Sequence, residues 1–410
     1  MRVTIDRLGH LGDGIAAGSG SGPVYVPRAL PGEVVEGEVT EGRMNAPAIL
    51  TPSPDRRRAP CPHYAACGGC ALMHATDGFV EGWKADVVRA ALAAQGLPAP
   101  IRAIHTSPER SRRRATFSGR RTRKGAIVGF HGRASGTLAD VMDCHLLVPS
   151  ITALLPILRD LTIAGGSRKG EMSLTVTATE AGADLAVSGG KPLEPALFSE
   201  LAVLAERADL ARLTWDGEPV AHRRPATQRF GGTLVEPPSG SFLQATREGE
   251  AALLAAARAA TGGAGRIADL FSGAGTFSLP LAEGAEVHAV EAEKAMLTAL
   301  DRAARHAQGL HRITTEARDL FRRPLLPDEL DRFDAILLDP PRAGAEAQVA
   351  EIAASRARTV AYISCNPVSF ARDARILSDA GLALDWIEVV DQFRWSTHVE
   401  LAARLIRPTR

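Results

Sequence analysis

"GRIADLFSGAGTFSLPLAEGAEVHAVEA", Gly265 to Ala292, decides the architecture of this chain. The apolar run Ile267 to Leu270 ends in a glycine turn, the helix-like "TFSLPLAEG" follows, and a second apolar run, "EVHAVEA", comes next. That order of strand, turn, helix and strand predicts a parallel sheet with helices on both faces. The rhythm continues with "KAMLTALDRAARHAQ" as helix, "FDAILLDPP" as strand, "AQVAEIAAS" as helix and "TVAYISCNP" as strand. The closing runs "ALDWIEVVDQF" and "HVELAARLI" are separated by too little chain for a crossover helix. They are expected to form an antiparallel pair at the sheet edge. The fold class predicted is α/β, with a Rossmann-like domain over 236–410.

Gly273 and Gly275 stand between a strand and a helix, where bare backbone lets a nucleotide-like ligand approach; such a turn also serves NAD and FAD. Glu291 follows at about the 20-residue interval expected of a carboxylate that grips ribose hydroxyls. Together they point to an adenosine-containing cofactor, against the plainer reading of a tight turn and a strand-end acid. In "LLDPPRAG" two prolines cannot continue a central strand, so a stiff loop pins Asp339 at the rim. Arg342 stands where amino-methyltransferases carry an aromatic wall, which disfavours amino-group methylation. Cys365 follows "TVAYIS" and precedes Asn366-Pro367, which stop the strand and place the thiol on the same rim. A nucleophile and an inert packed thiol are both open there.

The rest of the 410 residues is ordinary globular material, 45% hydrophobic and 23% charged, enough for two or three domains. No apolar run reaches membrane length and no signal-peptide core opens the chain, so a soluble cytoplasmic protein is expected. Residues 1–55 read as short strands punctuated by glycine and proline, a small β-barrel pattern. A central α+β domain is expected over 56–235. It carries a helix over about 78–95 suited to pack on the catalytic domain, the hairpin-like "SLTVTATEAGADLAVSG" and the helical "LFSELAVLAERAD". The net charge of +1 is unevenly spread. Between Arg102 and Arg133 the single acid Glu109 faces Arg110, Arg112, Arg113, Arg114, Arg120, Arg121, Arg123 and Lys124. Such a block is either a solvated face or a set of phosphate contacts. Five cysteines do not suggest a disulfide scaffold. Cys61, Cys67 and Cys70 in "CPHYAACGGC", with the distant Cys144, can hold iron–sulfur or zinc, with His63 and His74 as possible zinc ligands.

"DLFSGAGTFSLPLA", "LDPPRAGA", "YISCNP" and "HVELAARL", in this order, resemble the RNA 5-methyluridine methyltransferase family, which uses S-adenosylmethionine. The N-terminus resembles the TRAM RNA-binding barrel. With a four-cysteine cluster, this combination is similar to the members that methylate 23S ribosomal RNA. The resemblance implies that Cys365 is the nucleophile and Glu400 the base. It assigns Gln244, Phe271, Gly273, Gly275, Thr276, Glu291 and Asp339 to the cofactor, and Cys61, Cys67, Cys70 and Cys144 to a [4Fe-4S] cluster. It departs at Thr276, where the family often has asparagine, and at "QAT" in place of "QVN".

The chemistry agrees with that assignment. Carbon 5 of uracil is too weak a nucleophile to take a methyl from a sulfonium, and thiolate addition at carbon 6 turns it into an enolate carbon. A base must then remove the C5 proton so that the thiol can leave. The target base must be flipped or already unpaired. The partner expected is RNA, the expected state a monomer. The alternatives are methylation of transfer RNA, a 5-methylcytosine enzyme, or a non-enzymatic cluster-bearing RNA-binding protein.

Overall fold

The computed structural model describes residues 1–18 and 22–408. Ala335–Leu338 is buried at every position and Thr359–Ser364 from Val360 onward, the mark of strands covered on both faces. They lie in an eight-stranded sheet. Its order is Ile313–Ala317, Glu286–Glu291, Arg266–Leu270, Ala335–Leu338, Thr359–Ser364, Glu400–Ile406, Ala383–Asp391 and Ile101–Thr106. Only Glu400–Ile406 runs against its neighbours. The direction of winding reverses between Arg266–Leu270 and Ala335–Leu338. In open α/β sheets that switch point, at the carboxyl ends of the strands, is where ligands bind.

The terminal antiparallel pair forms as expected, but it is not the edge. Ile101–Thr106, assigned from the sequence to the central domain, adds in parallel outside Ala383–Asp391. The reason is burial: Ala383–Asp391 is buried from Trp386 to Asp391 and needs a partner on its outer side. The helix Asp77–Ala93 comes with it, held by an ion pair of Lys84 and Asp391 at 2.6 Å whose side chains are 0% and 1% exposed. The stretch 77–106 is therefore packed as part of the catalytic domain, together with the strands and helices beyond residue 235.

"TFSLPLAEG" yields only the short helix Ser278–Leu281, in the stretch closed by Gly284. Elements with no sequence assignment include the helix Arg247–Thr261, the outer strand Ile313–Ala317 and the helix Pro367–Asp379. Thr246, the last residue of the departing "QAT", caps Arg247–Thr261: its hydroxyl accepts the Gly249 N–H at 2.9 Å.

The N-terminal strands fall within 2–51 and form two three-stranded sheets, with Val3, Ile5, Val24, Val26, Val35 and Met44 in one core. The central domain is a seven-stranded sheet that includes the expected hairpin, Met172–Thr179 with Gly182–Ser188. Leu155–Gly165 and Pro195–Arg207 share its hydrophobic core. Among the described residues no helix is long and apolar enough to cross a membrane.

Candidate active site

Cys365 is the residue after Thr359–Ser364 and stands immediately before a helix. Asn366 caps that helix, its side chain accepting the Val368 N–H at 3.1 Å, and Pro367 occupies the first turn. Glu400 opens the antiparallel strand, and the register Ser364 to Leu401 brings it to the same rim. Asp339 ends the neighbouring strand on the other side of Cys365. Complete burial pushes the Glu400 carboxyl up to about 7, against a hydrogen bond from Gln392 that lowers it. Burial, then the charges of Glu400 and Asp269, raise Asp339 well above the usual carboxylate range. Cys365 is raised by burial and then by Glu400 and Asp339, with Arg342 as the opposing cation. The thiol is therefore held protonated in the free protein. Asn366 and Ser369 both donate to the Arg342 carbonyl, at 3.0 and 3.2 Å, which ties the Asp339–Arg342 loop to the helix start.

The glycine loop is built for a ligand. Gly273 has φ +56°, and a Cβ on it would point into open space rather than into protein. Gly275 has φ +90°, and a Cβ there would meet Leu300 at 2.5 Å. Phe271 adopts φ +66°, a conformation that a bulky residue rarely takes. Glu291 folds back to accept the Gly273 N–H at 3.1 Å, so the ribose-type acid and the loop are already in register. Asp269 Oδ1 and Ser272 Oγ are buried on this loop with no protein partner. An open backbone cradle, an acid at its side and orphaned polar atoms fit a polar, adenosine-bearing cofactor. Gln244 donates to Asp339 at 3.4 Å, and Thr276 lies half-buried in the loop.

Three residues of the site escaped sequence reasoning. Asp269 is fully buried and raised to about 7 by that burial; it read as an ordinary strand residue. Phe321, 47% exposed, sets its ring 5.4 Å from that of Phe271, and nothing in the sequence marked it. Gln392 is buried between Gln244 and Glu400; a polar residue directly after the apolar "WIEVVD" was its one signal.

Cys61, Cys67, Cys70 and Cys144 line one cavity of about 290 Å³ together with Arg112 and His63. Burial raises Cys67, Cys70 and Cys144, and the neighbouring thiols push Cys67 and Cys70 further. Among the described residues no three His, Cys, Asp or Glu side chains are grouped to hold a metal ion. His74 is turned away, its Nδ1 2.6 Å from the Tyr64 hydroxyl, and His63 Nε2 accepts the Met142 N–H.

The basic block divides. Arg113 is 2% exposed and cannot reach a phosphate: it pairs with Glu250 and donates to the Gln244 carbonyl at 3.1 Å. Arg114 donates to the Gly240 carbonyl at 3.0 Å, and Arg112 lies mostly buried against the cysteine cavity and the Phe393 ring. Arg113 and Arg114 stitch the central sheet to the segment that carries Gln244. The physical reason is that a guanidinium offers five donors, enough to satisfy the carbonyls of an irregular buried segment. Arg120 pairs with Glu171, Arg121 is half-buried, and Arg123 and Lys124 are exposed at the hairpin tip.

A doubly wound sheet with a glycine loop at its switch point and an acid at the end of the next strand defines a nucleotide-cofactor-binding enzyme domain. Comparison with known proteins narrows the class. The family model described as tRNA (Uracil-5-)-methyltransferase matches residues 204–407. An uncharacterized RNA methyltransferase of Brucella suis biovar 1 is 42% identical over 406 residues, covering 99% of this chain and 98% of the relative. The 23S rRNA (uracil(1939)-C(5))-methyltransferase RlmD of Shewanella amazonensis is 33% identical, covering 98% and 94%. The Pyrococcus abyssi tRNA (uracil-54, C5)-methyltransferase, solved with S-adenosyl-L-homocysteine, shares the fold at a TM-score of 0.76 and 20% identity, with 99% of each chain covered. The chain belongs to the RNA (uracil-5-)-methyltransferase family and is an enzyme of that family.

Proposed function

We propose that the enzyme methylates carbon 5 of a uridine in 23S ribosomal RNA through a covalent adduct of Cys365, with Glu400 as the base. The observation that carries this is the meeting of the two groups on one rim: a thiol before a capped helix start, and a buried carboxyl at about 7 on the adjoining antiparallel strand. Bound S-adenosylmethionine supplies an electrophilic methyl on a sulfonium. Gly273, Gly275 and Glu291 would hold its adenosine end, and Phe271, Thr276, Gln244 and Asp339 would complete its site. Cys365 passes its proton to uracil O4 as sulfur bonds to C6, and the C5–C6 π electrons shift into the C4–C5 bond, so that C5 becomes the nucleophilic carbon of an enol; the O4 proton is released as C5 takes the methyl. After C5 has taken the methyl, Glu400 removes the C5 proton, the C5=C6 bond returns and the C6–sulfur bond breaks. A base near 7 suits this step at neutral pH.

The full-length similarity to a 23S rRNA enzyme supports the large-subunit target. Incubation with labelled cofactor and either 23S or transfer RNA tests it: label on 23S RNA at a 5-methyluridine is expected. Label confined to transfer RNA, or found on cytosine, overturns the target.

The four-thiol cavity is read as the seat of a [4Fe-4S] cluster. What supports this reading is that all four thiols line one cavity. The half-buried cation Arg112 beside them suits an anionic cluster. Anaerobically purified protein should be brown and carry iron and acid-labile sulfide; colourless protein with one zinc overturns this. Arg121, Arg123 and Lys124, with the N-terminal barrel, are taken as the RNA-facing side of a cytoplasmic monomer.

A further inference from the structure

Gln392 follows the strand Ala383–Asp391 and opens the loop that returns the chain to Glu400. It is 2% exposed and every polar atom of its side chain is engaged. Its Oε1 accepts the Ala245 N–H at 2.7 Å and the Thr246 N–H at 3.4 Å. These donors leave the amide one orientation, since turning it over would set its NH₂ against two N–H groups. The NH₂ must then donate, to Gln244 Oε1 at 2.5 Å and to a carboxylate oxygen of Glu400. Gln244, its oxygen occupied, turns its own NH₂ toward Asp339. A directed chain results, from the backbone of 245–246 through Gln392 to the base on one side and to Gln244 on the other.

The surroundings hold Gln392 in place. Lys84 bonds to Asp391 at 2.6 Å and to the Phe393 carbonyl at 3.2 Å, clamping the backbone on either side of it. Gly249 in the first turn of Arg247–Thr261 leaves the space it fills, because a Cβ there would lie 2.6 Å from the Gln392 Cβ. We propose that Gln392 is a positioning residue for the proton-abstraction step: its NH₂ fixes one Glu400 oxygen as an acceptor and so holds the carboxyl oriented as the base. This rests on Glu400 being that base.

The inference predicts a pH signature. The ionisable groups near Glu400 are Asp339 and Cys365 at the neighbouring strand ends and His398 two residues before it; Arg342 acts on the thiol, and the Lys84–Asp391 pair precedes Gln392. Of these, Asp339 and Cys365 act on Glu400 with like charge when ionised, so the Gln392 donor is what opposes burial. Losing it leaves the base protonated at neutral pH, and elimination stalls after methyl transfer. Gln392→Met keeps the length and removes the donor. Gln392→Glu keeps an acceptor for the 245–246 amides and serves if the Met variant does not fold.

Steady-state turnover on RNA at about pH 7 should fall roughly 10- to 100-fold, the worth of one hydrogen bond to a charged group. Single-turnover methyl transfer should fall much less. Methylated RNA joined to protein should accumulate at about pH 7, survive denaturing electrophoresis, and clear near pH 9 as the base ionises. Gln392→Asn should restore part of the turnover. A wild-type pH profile in Met and Glu variants that fold, or equal loss at every pH with no adduct, overturns the inference. Glu400→Gln run in parallel separates the two readings. If it stalls as an adduct while the Gln392 variants do not, only the role of Gln392 fails. If it turns over normally, the base assignment itself fails.

Discussion

Two sets of cysteines in this chain have opposite surroundings. Cys67, Cys70 and Cys144 are half-buried beside one another, with Cys61 and the cation Arg112 lining the same cavity. Cys365 stands alone between two carboxyls, at the start of a helix capped by Asn366. Burial disfavours a thiolate in both places, but what offsets it differs. At the four-cysteine cavity the proposed metal centre would compensate, since a metal binds thiolates outright. At the rim the compensation is a transient electrophile that takes up the sulfur lone pair and gives it back. The cysteine lobe also reaches the active site mechanically: the Ala71 and Leu72 amides donate to the Trp395 carbonyl at 2.7 and 2.9 Å, on the loop between Gln392 and Glu400.

The largest effect expected is at the rim. Cys365→Ala should lower methyl transfer by at least about a thousandfold, form no covalent RNA complex and leave lobe absorbance and melting temperature unchanged. Methylation above background would break the contrast, because the rim thiol would then be as dispensable to chemistry as a structural one. Cys67→Ser should do the reverse. Visible absorbance and bound iron should be lost and the protein should unfold several degrees earlier, with binding free energy of a structural metal lost from folding. Unchanged absorbance would show that the four thiols do not act as one site.

Arginines sharpen the comparison next, since the same sequence block supplies both regions. Removing the guanidinium in Arg113→Met leaves Glu250 buried and unpaired and should destabilise the fold by about 3–5 kcal/mol, read by urea denaturation. Replacing Arg121, Arg123 and Lys124 with alanine should leave stability within about 0.5 kcal/mol. It should weaken RNA binding and flatten its salt dependence, each lost phosphate contact lowering the slope by about 0.7–0.9. Equal RNA affinity for the triple variant and the wild type would remove the hairpin tip from the interface.

The smallest effect is a pH-dependent one on stability. Glu400 ionises near 7 when folded and near its ordinary 4.5 when unfolded. Between those values the folded state holds the extra proton, so this group's contribution to stability is full below about 4.5 and declines as pH rises through about 7. Glu400→Gln should therefore match wild type near pH 5 and exceed it by up to a few kcal/mol near pH 8. A constant difference across that range would show that Glu400 titrates normally.

Much of the catalytic domain was legible in its sequence. Apolar runs with turn residues at their ends located the five strands that carry Asp269, Glu291, Asp339, Cys365 and Glu400. The glycine loop and the strand stop at Asn366-Pro367 were readable because the φ requirements of glycine and proline are local, whereas the helix that Pro367 opens was not assigned. The basic block misled at Arg113 and Arg114, because a run of arginines looks the same whether its donors meet phosphate or buried carbonyls. Ile101–Thr106 was misplaced because nothing within a strand says which sheet it will join.

By itself, then, the order of residues determined which segments are strands, where they end and which reactive groups stand at those ends. These follow from periodicity, from the geometry of glycine and proline, and from the chemistry of single side chains. Tertiary structure alone decided that Glu400 pairs beside Cys365, that Gln392 fits over Gly249 to reach the base, and that Lys84 is buried against Asp391. The physical reason is that register, burial and hydrogen-bond direction depend on residues far apart in the chain. Gln392 and Gln244 are 148 positions apart, and Lys84 and Asp391 are 307 apart. A carboxyl becomes a base near 7 only when the whole fold has taken it out of water.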